Sequence, residues 1–174
     1  MGRVPDFDPA TTRNPAQRAT RWLAKTKFGG WVALNVANKV DPVLMRATGG
    51  RLKMPSGAPT VLITHTGRKS GQKRTTPVLY FTDSGKVILI ASQTGKARHP
   101  AWFHNLSANP DIELWSGGRG GPYRAREAEG EERERLWSLA TTLYPGFDEY
   151  QQRADSAGRR IPVVVCEPRD SARG

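Results

Sequence analysis

From residue 60 onward, short apolar runs alternate with turn-forming residues, and this rhythm leaves the chain few ways to bury itself. Runs at 60–65, 75–82, 87–91, 111–116, 123–128 and 161–167 have the length and composition of strands. Asp83-Ser84-Gly85-Lys86 joins the second run to the third as a hairpin, and Gly117-Gly118-Arg119-Gly120-Gly121 forms a loop that turns the fourth back into the fifth. In the fourth run Ile112 and Leu114 point one way and Asp111 and Glu113 the other, the signature of a half-buried strand. The last run is apolar throughout. Helical stretches interrupt the strands. His99, at a cap position before Pro100, opens a short helix through Trp102, Phe103 and Leu106 that Asn109-Pro110 ends. A helix spans 131–143 and another follows Pro145. The pattern predicts an α+β fold that is mainly β: a small barrel of about six antiparallel strands decorated by peripheral helices.

The part before residue 60 reads differently. Residues 1–13 are polar and Pro-containing and read as disordered. Asn14-Pro15 and Asp41-Pro42 are cap-then-proline starts, and Gly29-Gly30 and Gly49-Gly50 are stops, so 14–50 reads as N-terminal helices. The expected organisation is one domain over 14–168, with its barrel core at 58–168 and a flexible tail at 169–174. No apolar stretch follows Met1-Gly2-Arg3 as a secretory signal would, and no run approaches the ~18 apolar residues a bilayer span needs. The expected location is cytoplasmic.

Between the first two strand runs lies Thr66-Gly67-Arg68-Lys69-Ser70-Gly71-Gln72-Lys73-Arg74. A Gly-rich turn can aim several backbone N–H groups at one point, and Arg68, Lys69 and Arg74 add full charge to it. No acidic residue lies nearby in sequence. An anion site for phosphate or polycarboxylate and a solvated hairpin turn both fit this spacing. The chain as a whole carries 27 Lys+Arg against 16 Asp+Glu, a net +11, which points to an anionic partner. Nucleic acid, an acidic membrane surface and an anionic small molecule all satisfy that charge.

Other chemistries find little support. His65, His99 and His104 show no metal-ligand spacing, and His65 reads as structural. The single cysteine, Cys166, sits inside an apolar strand and reads as a small buried hydrophobe. The basic turn lacks the spacer of a Walker loop, and no G-x-G-x-x-G follows a strand. Two aromatic sets remain: Trp102-Phe103 with Asn105, and Tyr144, Phe147 and Tyr150 at three-residue spacing. Core packing and a wall for a flat ligand both suit the second set.

Four stretches, 66–81, 90–110, 143–151 and 161–168, together resemble the deazaflavin-dependent nitroreductase and quinone reductase family of actinobacteria. The resemblance implies a split β-barrel of the flavin-reductase type. It implies reduced coenzyme F420, an 8-hydroxy-5-deazaflavin, as hydride donor to a flat acceptor: a quinone such as menaquinone, an enone or a nitroaromatic compound. The coenzyme's phosphodiester and oligoglutamate tail make it a polyanion, which gives the basic turn a physical purpose. By position, the resemblance assigns Arg68, Lys69, Ser70, Gly71 and Arg74 to the phosphate and tail. It assigns Thr76, Pro77 and Val78 to the approach to the ring, and Ala91, Ser92 and Gln93 to the ring edge, where many relatives carry Lys in place of Gln93. Ala101, Trp102 and Asn105 would close the pocket. Tyr144, Phe147 and Tyr150 would wall the substrate site, with Phe147 lacking the hydroxyl of the family's nitroreductase. Ser92, Tyr144 and Tyr150 are the expected catalytic donors. The N-terminal helices would either touch a membrane surface or cover the barrel mouth, and a homodimer is compatible with the fold. Alternatives that share the barrel are flavin mononucleotide as cofactor, coenzyme binding without catalysis, and nucleic-acid binding. The last is disfavoured because the aromatics lie in helical segments and not on basic strands.

Overall fold

The computed structural model describes residues 3–7 and 59–169. The expected N-terminal helices at 14–50 and all of the expected tail at 169–174 except Arg169 lie outside the described residues. Six strands form: β1 (Thr60–Thr66), β2 (Lys73–Asp83), β3 (Lys86–Ile90), β4 (Asp111–Ser116), β5 (Arg119–Glu127) and β6 (Val163–Pro168). They close into an antiparallel barrel in the order β1-β2-β3-β6-β5-β4, sealed where β4 returns to β1. Three α-helices accompany them: α1 (Ala101–Ala108), α2 (Gly130–Leu143) and α3 (Gly146–Asp155). None of the described helices is long and apolar enough to cross a membrane.

Strand chemistry follows position in this ring. The inner faces of all six strands, among them Val61, Ile63, Leu89, Leu114, Tyr123 and Val164, fill the barrel, and α1 packs Trp102, Phe103 and Leu106 against that filling. The outer faces of β3 and β6 are covered too, because Ile88, Ile90, Val163 and Val165 pack against Leu136 and Ala140 of α2 and Phe147 and Ala154 of α3. These two strands are therefore buried on both faces, which is why β6 opens on three consecutive valines and a cysteine. β4 has water outside and keeps its alternation, with Ile112 and Leu114 buried and Asp111 and Glu113 exposed.

Two features depart from the sequence reading. β5 begins at Arg119, so Gly120 and Gly121 belong to the strand and only Gly117 and Gly118 form the turn, with φ of 57° and 78°. That is the two-residue hairpin that glycine pairs favour. Gly120 is in the strand for a steric reason: a Cβ there would overlap the Leu114 carbonyl and lie 2.8 Å from the Trp115 Cα. The second departure is at the start of the chain. Residues 3–7, expected to be disordered, lie against the barrel. Val4 N–H donates to the Tyr123 hydroxyl at 3.1 Å, the Tyr80 hydroxyl donates to the Pro5 carbonyl at 3.0 Å, and Phe7 exchanges hydrogen bonds with Thr82. Two tyrosines buried in a barrel need partners for their hydroxyls, and this strap supplies them.

Gly120→Ala is expected to destabilise the barrel by about 3 kcal/mol, at the upper end of overpacking costs because the obstruction is backbone. Gly118→Ala meets no atom within 4 Å and bears only the strain of its positive φ. Urea unfolding of the two variants should show the larger loss at position 120.

Candidate active site

The basic turn joins β1 to β2 through residues 67–72. Gly67 N–H donates to the Gln72 carbonyl and Gly71 N–H to the Gly67 carbonyl, each at 2.8 Å, and Gly71 adopts φ 66°. Gly67 is packed closely: a Cβ would sit 2.7 Å from the Ser70 Oγ and 3.4 Å from the Arg74 Nε. Its hydrogen side chain lets a hydroxyl and a guanidinium converge on the turn. Arg68, Lys69, Ser70, Gly71 and Arg74 are all exposed. Lys73 pairs with Glu113 at 3.7 Å, whereas Arg68, Lys69 and Arg74 make no ion pair among the described residues. Their positive charge is left for something else to neutralise.

Helix α1 holds this turn in place. Arg68 N–H donates to the Asn105 Oδ1 at 3.0 Å, and the Asn105 Nδ2 lies 3.2 Å from the His65 Nδ1. On its other side, the His65 Nε2 lies 3.2 Å from the Thr76 Oγ1. His65 is 3% exposed and Asn105 7%. Burial, and secondarily the positive charge of Arg74, hold the His65 pKa below its ordinary value. The residues assigned by resemblance to the turn, to β2 (Thr76, Pro77, Val78) and to α1 (Ala101, Trp102, Asn105) thus share one neighbourhood. Within it Trp102 is buried against the barrel and Ala101 is exposed.

Ala91, Ser92 and Gln93 follow β3, where the chain takes an unusual path. Gln93, Thr94 and Gly95 have φ of 46°, 55° and 77° within a single turn of 3-10 helix (Gln93–Gly95). Left-handed backbone at non-glycine residues costs on the order of 1–3 kcal/mol each and persists only where surroundings enforce it. Arg159 enforces it here. Its Nη1 donates to the carbonyls of Ser92 at 3.1 Å and Lys96 at 2.6 Å, its Nη2 donates to the Ala91 carbonyl, and its Nε donates to the His99 Nδ1 at 2.9 Å. Arg159 is 5% exposed and has no carboxylate partner among the described residues. His99, expected to cap α1, instead accepts from this guanidinium, and Pro100 precedes the helix with no side-chain cap. The sequence reading missed Arg159, because its partners are backbone carbonyls and no residue type announces them. Gly158-Arg159-Arg160, placed directly before an apolar strand, is the one trace it leaves.

The aromatic trio packs against this segment. A Cβ on Gly95 would lie 2.5 Å from the Tyr150 carbonyl oxygen, so the 3-10 turn and α3 meet through a glycine. Tyr144 and Tyr150 are half-buried with their hydroxyls 3.2 Å apart. Burial, then the hydrogen bond shared with Tyr150, push the Tyr144 pKa up, so this phenol keeps its proton across the neutral range. Phe147 corrects the expectation that the three rings form one wall. It is 6% exposed and packs edge-on to Tyr144 at 5.2 Å and against Trp137 at 6.2 Å, so it braces the two tyrosines from the core side.

Two observations fit a polar, ring-bearing guest beside Ala91. The Gln93 Oε1 is buried with no hydrogen-bond partner among the described residues, and buried polar atoms are rarely left so. The Ser92 hydroxyl also has no hydrogen bond among the described residues, since only its carbonyl is engaged. A separate cleft of about 460 Å³ opens between α2 and α3, lined by Arg133, Trp137, Gln151 and Arg160 among others. It contains none of the expected site residues. Its cations are already occupied, Arg133 by Glu134 and the Ile161 carbonyl, and Arg160 by Glu134.

Comparison with known proteins gives a consistent result. Residues 38–168 match the profile described as F420H(2)-dependent quinone reductase. A Mycobacterium tuberculosis protein provisionally named as such a reductase is 41% identical over 111 residues, 64% of this chain and 91% of the relative. A second M. tuberculosis protein, named an F420H(2)-dependent quinone reductase, is 33% identical over 136 residues, covering 75% of this chain and 89% of its own length. Among solved structures, an F420-H2 dependent reductase, FDR-A, superposes with a TM-score of 0.57 at 44% identity, over 63% of this chain and 94% of its own. Another, described as a domain-swapped dimer, gives a TM-score of 0.59 at 37% identity over 73% and 96%.

Arg159→Leu is expected to destabilise the fold by about 3 kcal/mol, because it leaves three carbonyls and the His99 Nδ1 unpaired. The histidines also predict a pH dependence. Burial first, and Arg159 second, lower the His99 pKa from 6.5, as burial and Arg74 lower that of His65. Above pH 6.5 both histidines are neutral in folded and unfolded chains alike. Below it the unfolded chain takes up protons that the folded chain resists, so stability falls as pH drops from 6.5 toward the folded values. The Tm should decline between pH 7 and 5.5, and His99→Gln should make that decline shallower.

Proposed function

The chain belongs to the F420H(2)-dependent quinone reductase family, and on that premise we propose that it binds reduced F420 at the β1–β2 turn and the Ala91–Gln93 segment and reduces a quinone there. The observation that carries this reading is the set of three unpaired cations around a turn whose glycine opens it to Ser70 and Arg74. It is an oxidoreductase, and the hydride is the coenzyme's contribution.

The chain's own residues divide the remaining work. Arg68, Lys69 and Arg74, with the Ser70 hydroxyl and the backbone at Gly71, hold the anionic phosphate and tail. Arg can meet a phosphate with two parallel N–H groups, which fixes orientation as well as charge. Thr76, Pro77 and Val78 line the approach along β2, and Ala101, Trp102 and Asn105 close it from α1. Ala91, Ser92 and Gln93 meet the ring edge, where the unpartnered Gln93 Oε1 finds a donor. The Ser92 hydroxyl donates to the acceptor oxygen that gains charge, an arrangement whose value lies in being set before reaction. Tyr144 and Tyr150 share one hydrogen bond, so the pair has one hydroxyl proton left to direct outward. With its pKa raised by burial and by the hydrogen bond it gives to Tyr150, Tyr144 keeps its proton, and the Tyr150 hydroxyl is the donor left to face the quinol oxygen. Phe147, behind the two tyrosines, adds no third hydroxyl to this wall, which favours a flat quinone over nitro compounds. Menaquinone, drawn from a membrane surface, and assembly as a homodimer, as the dimeric structural relative suggests, complete the reading.

Arg74→Ala should raise the F420 Kd about tenfold through loss of a charge-assisted contact, with a much smaller change in turnover at saturation. Fluorescence titration and steady-state menadione reduction measure the two. An unchanged Kd removes the turn from the binding site.

A further inference from the structure

The hydrogen bonds beneath the turn have a direction, and it can be read from one end. The Arg68 backbone N–H can only donate, so the Asn105 atom facing it must be the carbonyl oxygen Oδ1. The opposite amide orientation would set two donors head to head. The Asn105 Nδ2 therefore donates to the His65 Nδ1, which must carry no proton. A neutral imidazole then holds its proton on Nε2, and that atom lies 3.2 Å from the Thr76 Oγ1. The Thr76 oxygen accepts, and its own hydroxyl proton has no partner among the described residues.

We propose that His65 is a positioning residue: as the Nε2–H tautomer it orders this chain of hydrogen bonds, fixing the turn through Asn105 and leaving the Thr76 hydroxyl as a donor toward the coenzyme. The proposal rests on the coenzyme site described above. An imidazolium cannot replace this tautomer. A proton on Nδ1 would face the Asn105 Nδ2, and relieving that by turning the amide over would set Nδ2 against the Arg68 N–H. The surroundings also oppose the charged form. Across β2, His65 faces Arg74 and Thr76, and from α1 it meets Asn105, so the charge acting on it is positive. Uncharged His65 thus sits beneath an array of cations as a proton-ordered spacer.

Two measurements on the full chain test this. Long-range ¹H–¹⁵N correlation of the imidazole groups, with His65 assigned by its absence in His65→Phe or, failing expression of that variant, in His65→Gln, should show the neutral Nε2–H tautomer at pH 7. An Nδ1–H tautomer or an imidazolium at that pH overturns the proposal without reference to any ligand. Fluorescence titration with F420 is the second. Thr76→Val and His65→Phe should each raise Kd about fivefold, and the double variant should fall well short of the product of the two, because both act on the Thr76 donor. In the wild type Kd should rise as pH falls below 6.5, and in His65→Phe that rise should be lost. Additive effects, or an unchanged pH profile in His65→Phe, would assign His65 a packing role only. If wild-type protein fails to bind F420 at any pH, the coenzyme site itself is wrong and the Thr76 donor role falls with it, while the imidazole spectrum still decides the direction of the chain.

Discussion

The barrel closes through a short seam, and much of the site follows from its length. β1 meets β4 only at Leu62–Trp115, Ile63–Leu114 and Thr64–Glu113, whereas it meets β2 along its whole run from Thr60 to Thr66. Past Thr64, β1 pairs with no strand on its β4 side among the described residues. The hairpin carrying His65, Thr66 and the basic turn projects beyond the seam, and α1 takes the place of the missing strand. A helix cannot continue a ladder, so its contribution is a side chain: the Asn105 amide, which offers an acceptor and a donor in fixed geometry. The turn is rigid because the ring ends early and an asparagine finishes it.

Charge is distributed along the same division. On the flank formed by β3, β5, β6 and α2, arginine and lysine are matched with acids: Arg126 with Glu132 and Glu167, Arg135 with Asp83, Lys86 with Glu167. At the turn Lys73 reaches Glu113, but Arg68, Lys69 and Arg74 meet no acid among the described residues. Exposed ion pairs add little stability, so the acids matter less as fasteners than as neutralisers of the cations beside them. The buried polar side chains beneath the turn, His65 and Asn105, carry no negative charge.

The sequence was informative wherever a residue's environment is set by its neighbours in the same strand. Alternation in β4 and the continuous apolar run of β6 announced one-sided and two-sided burial, and the turn at Ser84-Gly85 announced a hairpin. The start of β5 was misread because Gly120 and Gly121 look like loop residues. Only the Leu114 carbonyl beside them shows that they are small to let strands approach. Residues 3–7 looked disordered for a comparable reason, since the tyrosine hydroxyls that hold them are more than seventy residues away. Residues in the candidate site were legible through motif resemblance, and Asn105 was among them. Arg159 was not, because a side chain that serves backbone carbonyls leaves no complementary residue to find. Phe147 was placed on the right element, but spacing by three cannot tell which ring turns toward the core.

Cys166 shows how the fold suits the chemistry it accompanies. It is the single cysteine of the chain, lies wholly inside the barrel, and burial raises its pKa. Quinones are Michael acceptors, and thiolates add to them readily. An enzyme that handles such electrophiles at every turnover would be alkylated at any accessible, ionisable sulfur. With its only thiol protonated and buried in the barrel core, this protein presents no sulfur nucleophile to the compounds it handles.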